Sequence, residues 1–176
     1  LRAELNALAN IFERPFAMKA MIMNQNLEVL DSLFDRRLFI WLERDPGFNI
    51  QSALEARKRQ HGDLSTWYSF KIKEYPELVG LDPLTSVAGQ IHAINRSVSG
   101  AIQRMAPERV VHVRYDEFCF EPERFFHVIA SRLEDTEGGR SHVQEYRGPT
   151  SFENTDYWRL DDYTYEDAIA AYQAIG

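Results

Sequence analysis

The chain has 176 residues, of which 44% are hydrophobic and 27% are charged, so length and composition predict one globular domain with enough apolar side chains for a core. The formal net charge is −7 and the basic residues are scattered, which argues against a non-specific nucleic-acid or anionic-membrane surface but allows a local basic pocket for one phosphorylated ligand. Cys119 is the single cysteine, which excludes an internal disulfide and a cysteine-based zinc site and fits a reducing compartment. No apolar stretch approaches the roughly 20 residues of a membrane span, so we expect a cytoplasmic protein.

The first 23 residues contain one helical pattern and one apolar stretch. Leucine and isoleucine recur at helical spacing over residues 1–12, and because this helix has no lead-in we expect further residues upstream. After Pro15, the apolar stretch Phe16–Met23 predicts a short strand with a single charged residue, Lys19. An ammonium group in a buried strand needs an anion or a route to water, so Lys19 is a candidate phosphate or sulfate ligand; the alternative is an edge-strand lysine exposed to water.

A second and more apolar strand follows, and a helix predicted over Asn26–Phe34 connects the two. The run LFIWL at residues 38–42 is too short for a buried helix and suits a central parallel strand that is covered on both faces. Because a helix joins the two strands, we expect them to be parallel, with both carboxyl ends at one edge of the sheet.

The chain turns directly after this central strand, and the turn holds the first candidate site. Pro46 and Gly47 force the turn, and a helical pattern begins at Asn49, the expected N-cap, with Ser52 in or near the first turn. Ligands of open α/β sheets bind at the carboxyl ends of the strands, and an arginine beside free helix amides is a good phosphate receptor. Arg44 is therefore a candidate phosphate ligand.

The middle of the chain predicts two helices and a third strand. The helix after the turn runs to about Gln60, and its basic end is expected to be exposed to solvent. Leu84–Met105, the longest periodic segment, predicts a long packing helix, and His92 lies off its apolar stripe, which makes it a candidate to face a cleft. Val110–Phe118 then predicts a strand that ends in charged residues.

The last part of the chain predicts two helices separated by a long loop. A helix expected over Glu121–Leu133 is followed by the polar, glycine-containing segment Glu134–Thr150, and loops of this length are usually functional or mobile. Thr164 is expected to cap a final helix. The five histidines, at positions 61, 92, 112, 127 and 142, show no metal-ligand spacing, so no metal site is predicted.

Five segments, in the family's order, resemble sulfotransferases that use 3′-phosphoadenosine 5′-phosphosulfate (PAPS): the Lys19 strand, the turn at Arg44–Pro46, the long helix, the strand Val110–Phe118, and Tyr157–Arg159 before the final helix. Arg44–Pro46, together with Ser52 eight positions after the arginine, is similar to the segment that holds the 3′-phosphate of PAPS. The run RYDEF at residues 114–118 is similar to the segment that ends the strand after the family's long helix, and Tyr115 matches the tyrosine at the adenine side. Tyr157–Arg159 is similar to the end of the Gly-Asp-Trp-Lys segment before the family's final helix.

The resemblance extends from about Pro15 to Tyr172 and departs from the family at two points. The glycine- and serine/threonine-rich loop that cradles the 5′-phosphosulfate does not occur in the sequence. Met21 stands where cytosolic members place a catalytic histidine, two residues after the lysine. The resemblance therefore implies a single sulfotransferase-like domain over residues 1–176 that is incomplete at its N-terminus.

The resemblance also implies a fold, an activity and a cofactor. The fold class is α/β, with a three-layer parallel sheet flanked by helices, of the sulfotransferase (P-loop-like) type without its N-terminal phosphosulfate-loop part. The activity is transfer of a sulfonate from PAPS to a hydroxyl or amine of a small-molecule acceptor, which leaves 3′-phosphoadenosine 5′-phosphate (PAP). Arg44 and Ser52 would bind the 3′-phosphate, Tyr115 would line the adenine side, and Lys19 would stabilise charge on the leaving phosphate. His92 is the exploratory candidate for the catalytic base.

Two other classes of protein remain open at this point. A nucleotide or small-molecule kinase of related α/β architecture would use similar phosphate-binding turns, but it should show a glycine-rich loop with Lys-Ser/Thr and an acidic Mg²⁺ ligand after a strand. A non-catalytic nucleotide-binding or interaction domain of the same fold, which has lost the phosphosulfate loop, would explain both departures from the family. The mass of the intact protein, compared with the mass that its gene encodes, would separate truncation from loss.

Overall fold

The computed structural model describes residues 2–12, 16–19, 21–136 and 145–175, and in these residues the protein is mixed α/β and mostly helical. The sheet of the described part has two parallel strands, β1 (Phe39–Glu43) and β2 (Val110–Arg114). The helices are α1 (Arg2–Phe12), α2 (Leu27–Leu33), α3 (Pro46–His61), α4 (Tyr75–Leu78), α5 (Pro83–Arg104), α6 (Tyr115–Phe120), α7 (Pro122–Thr136) and α8 (Tyr165–Gln173). Short 3₁₀ turns lie at Met21–Met23 and Pro107–Arg109.

The chain divides into two compact units. Unit 1 consists of Leu1–Leu42 and Ala101–Glu153, and unit 2 consists of Glu43–Gly100 and Asn154–Gly176. Among the helices that the structure describes, none combines the length and the apolar character that crossing a membrane requires.

Unit 1 contains most of the sheet, and its core lies on β2. Val111 and Val113 are buried there together with Phe125 of α7. In β1, by contrast, Ile40 and Leu42 keep 52% and 51% of their surface exposed. The strand predicted at residues 38–42 is therefore confirmed, but the expectation that it is covered on both faces is wrong for the described residues. An apolar run indicates how hydrophobic a segment is, whereas the burial of that segment depends on which other segments pack against it.

The strand predicted over Phe16–Met23 is also wrong in the described residues. Residues 16–19 have no regular structure, and Met21–Met23 forms a 3₁₀ turn. Lys19 is exposed to solvent in the irregular part, so it does not lie in a buried strand. Methionine and alanine dominate this segment, and they are helix formers without the β-branched character that favours strands, so hydrophobicity alone misled the prediction.

The third predicted strand is shorter than expected because a helix replaces its second half. β2 ends at Arg114, and Tyr115 begins the short helix α6. Asp116 and Glu117 lie in the first turn of α6, where negative side chains interact favourably with the helix dipole. At the C-terminal end of α6, the Glu121 amide donates to the Glu117 carbonyl. The neighbouring prediction of a helix that starts near Pro122 is confirmed, and α7 continues to Thr136.

The glycine-containing loop predicted over Glu134–Thr150 lies partly outside the described residues. Residues 137–144 belong to the undescribed part of the chain. Within the described part, α7 includes the first three residues of this range, and residues 145–150 form neither helix nor strand.

One core cluster of unit 2 is formed by three of its helices, whose apolar faces meet. Its buried core contains Ile50 and Leu54 of α3, Leu84, Val87 and Ala88 of α5, and Ala168 of α8. The long helix and the final helix are confirmed. Thr164 caps α8 as predicted: its hydroxyl accepts from the Asp167 amide at 3.1 Å, and the Asp167 carboxylate accepts from the Thr164 amide at 2.9 Å.

The basic end of α3 differs from its prediction at one residue. Arg57 is fully buried and donates hydrogen bonds to the Leu64 carbonyl (3.2 Å) and to the Ser86 hydroxyl (3.1 Å). Burial lowers the pKa of its guanidinium. The reason is positional, because Ile50, Leu54 and Arg57 follow one another at spacings of four and three on the inward face of the helix. Lys58 and Arg59 are exposed, as predicted.

Candidate functional site

The turn between β1 and α3 is the part of unit 2 where the sequence predicts phosphate binding. β1 ends at Glu43, Arg44 follows, and Asp45 is the N-cap of α3, with Pro46 at the first helical position. One oxygen of the Asp45 carboxylate accepts hydrogen bonds from the amides of Gly47 (2.8 Å) and Phe48 (3.4 Å). The N-cap thus lies four residues earlier than predicted, because aspartate is a strong N-cap and proline fits the first turn.

The same contacts correct the role predicted for Asn49. Asn49 lies inside α3, and its side-chain amide donates to the Arg44 carbonyl at 3.4 Å. The amides expected to be free for a phosphate already bond to a carboxylate of the chain itself, that of Asp45. The Asp-Pro pair was the sequence signal for this cap.

Arg44 forms an ion pair with a carboxylate from residues 154–159, a segment that we call the tail. Its Nε donates to the Asp156 Oδ1 at 2.7 Å, and its NH2 lies 2.6 Å from the same oxygen. NH2 also donates to the Thr155 hydroxyl at 3.2 Å. The side chains of Arg44 and Asp156 are only 17% and 13% exposed, so the ion pair is shielded from solvent. Sequence reasoning missed Asp156 and Thr155, although they directly precede the Tyr157–Arg159 segment that it singled out.

The segment that carries Asp156 is hydrogen-bonded to a buried glutamine of α3. Gln51 is fully buried, its Nε2 donates to the Tyr157 carbonyl at 3.0 Å, and its Oε1 accepts from the Arg159 amide at 2.6 Å. The Arg159 side chain donates to both oxygens of Glu55, at 2.9 and 3.0 Å. The hydrogen bond from Arg159 lowers the pKa of Glu55. Backbone and side-chain contacts together therefore keep residues 157–159 beside α3.

The first residue of α8 completes the surroundings of the turn. The Tyr165 hydroxyl donates to Oδ2 of Asp45 at 3.0 Å, which leaves Oδ1 of the same carboxylate for the cap. Burial and this hydrogen bond raise the pKa of Tyr165. Gly47 is required here because a Cβ at this position would lie 2.5 Å from the Tyr165 ring.

The charges around the turn are not predominantly positive. Among the hydrogen-bonded groups described above, three carboxylates, those of Asp45, Glu55 and Asp156, are accompanied by two guanidinium groups, those of Arg44 and Arg159. Binding of an anionic ligand is therefore electrostatically favoured only if the ligand takes the place of one of these carboxylates as the partner of an arginine. In the described part of the chain, no three side chains of the metal-ligating types converge.

Ser52 and His92 are the other predicted site residues in unit 2. Ser52 is exposed and lies one helical turn after Asn49, on the same side of α3. His92 of α5 packs against Tyr172 with ring centroids 5.1 Å apart, and its Nδ1 is buried without a hydrogen-bond partner. Tyr172 lies seven residues, about 10 Å, along α8 from Tyr165, so the contact of His92 is at the end of α8 that is remote from Asp45.

Lys19 and Tyr115, the remaining predicted site residues, belong to unit 1. Tyr115 is half-buried and is the first residue of α6, directly after the carboxyl end of β2. Lys19 is exposed and lies outside regular structure. The prediction that both follow the ends of parallel strands therefore holds for Tyr115 and fails for Lys19.

Comparisons with known proteins neither support nor oppose the sulfotransferase resemblance. The chain matches no protein-family model, no curated protein and no solved structure. Family membership therefore depends on the sequence segments around Arg44, Tyr115 and Trp158, and it stays a prediction.

Proposed function

We propose that this chain is a PAPS-dependent sulfotransferase domain that binds the 3′-phosphate of PAPS and PAP at Arg44. The observation that carries the proposal is the position of Arg44, between the carboxyl end of a parallel strand and the first turn of a long helix. Ligands of α/β proteins bind at such positions. The finer architecture, a three-layer parallel sheet flanked by helices, belongs to the same proposal.

In the proposed reaction a sulfonate passes in line from PAPS to a small-molecule acceptor. The oxygen or nitrogen of the acceptor attacks sulfur, the bond from sulfur to the bridging oxygen breaks, and PAP leaves with the negative charge of that oxygen. Lys19 is proposed to stabilise this charge, which is larger in the transition state than in the ground state. A base takes the acceptor's proton, and His92 is its candidate. Ser52 and Tyr115 are proposed to contact the 3′-phosphate and the adenine.

The proposal requires Arg44 to exchange one partner for another. Its guanidinium now bonds to Asp156 and Thr155, so a phosphate has to replace the carboxylate. A phosphate oxygen accepts the same N–H donors as a carboxylate oxygen, and a 3′-phosphate carries nearly two charges at neutral pH against one for Asp156. The larger charge of the phosphate therefore favours the exchange at Arg44 itself.

Calorimetry with two nucleotides tests the proposal. PAP carries a 3′-phosphate and 5′-AMP does not, so we expect PAP to bind more tightly. A charge-assisted contact contributes about 1.5 to 3 kcal/mol, so Arg44→Ala should weaken PAP binding about tenfold or more and leave 5′-AMP nearly unchanged. Equal affinities of the wild-type protein for the two nucleotides would contradict the proposal.

Two variants serve as controls for this experiment. Arg96→Ala removes another arginine of unit 2 that pairs with a carboxylate, Glu74, at 3.4 Å, and it should leave PAP binding unchanged. Lys19→Ala should also leave PAP binding little changed while it lowers turnover, because the lysine acts on charge that appears in the transition state. Thermal unfolding of Arg44→Ala is measured first, since this change leaves Asp156 without its arginine.

A second candidate function is supported by the Arg44–Asp156 ion pair. A non-catalytic interaction domain of the same fold would use this pair to fasten its tail to the strand–helix turn, with no ligand involved. Absence of PAP binding in a folded wild-type protein, together with lower stability of Arg44→Ala, would favour this function.

A further inference from the structure

Asp156 bonds to the arginine that the proposed function assigns to a phosphate. One oxygen of its carboxylate accepts from Nε of Arg44 and lies 2.6 Å from NH2, and both side chains are more than four-fifths buried. Thr155 supplies a third contact through its hydroxyl. A carboxylate oxygen and a hydroxyl oxygen therefore contact Nε and NH2 of the guanidinium, the groups that donate to phosphate oxygens.

We infer that Asp156 is part of the ligand site, as an internal competitor whose carboxylate a phosphate group must displace from Arg44. This inference rests on the proposed function. The same segment continues into Tyr157 and Arg159, whose backbone groups bond to the buried Gln51. Because those contacts do not involve the Asp156 side chain, the carboxylate can rotate away from Arg44 while the backbone after it stays in place.

The bonds between Gln51 and the backbone of Tyr157 and Arg159 explain why Asp156 competes strongly with a phosphate for Arg44. A carboxylate held next to its arginine by the chain itself acts at a high effective concentration, and a free ligand has to compete with it. The Glu55–Arg159 contacts, at 2.9 and 3.0 Å, add a second attachment of this segment about one turn after Gln51 on α3. When Asp156 is displaced, its charge also stays near the ligand and repels it. Both effects lower the affinity for phosphate without any contact between Asp156 and the ligand.

Asp156→Asn tests the inference because it removes the charge and keeps an oxygen that accepts from Arg44. We expect this variant to bind PAP about tenfold more tightly than the wild type, since a neutral amide forms a much weaker bond to a guanidinium. Binding of 5′-AMP, which has no 3′-phosphate, should change less than twofold. Asp161→Asn removes one negative charge from an exposed position just after the tail and should leave both affinities within twofold.

A double-mutant cycle shows whether the effect passes through Arg44. In the Arg44→Gln background, Asp156→Asn should change PAP affinity less than twofold, because the contact that it weakens is already lost. Asp156→Ser provides a second replacement if the asparagine variant unfolds at a lower temperature than the wild type, and it should also tighten PAP binding.

Each outcome supports or contradicts at least one of the two proposals. If wild-type PAP binding depends on Arg44 but Asp156→Asn and Asp156→Ser leave it unchanged or weaker, the inference is wrong and the proposed function stands. If Asp156→Asn tightens PAP and 5′-AMP equally, the effect is one of general charge and the inference is wrong. If only the Asp156 variants bind PAP, the inference is supported and the proposed function of the wild-type chain fails. If no folded variant binds PAP, both are wrong.

Discussion

Gly47→Ala is expected to destabilise unit 2, although alanine is the better helix former. A Cβ at position 47 would lie 2.5 and 2.9 Å from two carbons of the Tyr165 ring, where about 3.5 to 4.0 Å is the ordinary separation of carbon atoms. The ring would therefore have to retreat by about 1 Å. Phe48 and Trp158 limit this movement, because their rings pack against Tyr165 with centroid distances of 5.4 and 5.8 Å.

The size of the effect follows from three contributions. Overpacking of this kind costs about 1 to 3 kcal/mol. A shift of about 1 Å also lengthens the 3.0 Å hydrogen bond from Tyr165 to Asp45 beyond bonding distance, and a bond to a charged group contributes about 1.5 to 3 kcal/mol. Replacing glycine by alanine in a helix offsets up to about 1 kcal/mol of this loss. A net loss of about 3 kcal/mol is expected, which lowers Tm by about 6 to 12 °C in a chain of this size.

Thermal and urea unfolding measure the loss, and Gly80→Ala is the matched control. A Cβ at Gly80 would meet nothing within 4 Å, so this variant should be as stable as the wild type or gain up to about 1 kcal/mol from the reduced freedom of its unfolded chain. In a Tyr165→Leu background the crowding is relieved, and Gly47→Ala should then cost less than half as much. Equal or higher stability of Gly47→Ala in the wild-type background would refute the reasoning.

Two further predictions concern buried and charged groups of unit 2. Gln51→Leu should lower the free energy of unfolding by about 2 to 4 kcal/mol, because it leaves the Tyr157 carbonyl and the Arg159 amide without their buried partner; urea unfolding measures this, and an unchanged midpoint would contradict it. Hydrogen bonds from the neighbouring hydroxyl and amide groups, that of the Ser65 hydroxyl first, lower the pKa of Asp63 to about 2. Because the folded-state pKa lies below the unfolded value of about 3.9, the stabilisation is complete above that value and disappears as the pH falls towards 2. Between pH 5 and 3, Tm should therefore fall less steeply in Asp63→Asn than in the wild type, and parallel curves would refute this.

Local sequence signals determined most of the helices and both strands of the described part. The apolar run at residues 38–42 predicts β1, the periodic stretch at Leu84–Met105 predicts α5, and Thr164 marks the start of α8. These predictions are reliable because a strand pattern, a helical stripe or a cap depends on residues within a few positions of one another. The Asp45 cap was equally local, and recognising the Asp-Pro pair would have placed the start of α3 correctly.

Only the tertiary structure decided what surrounds the candidate site. Arg44 and Asp156 are 112 positions apart, and no pattern along the chain indicates that they form an ion pair. Gln51 is fully buried although glutamine is most often exposed, and its two bonds reach residues more than 100 positions away. The sequence identified Arg44 as a candidate phosphate ligand. The carboxylate that neutralises its charge is that of Asp156, and only the packing of residues 154–159 against α3 places it there. Periodicity and capping describe each segment by itself, whereas the state of a buried charge depends on all the segments that exclude water from it.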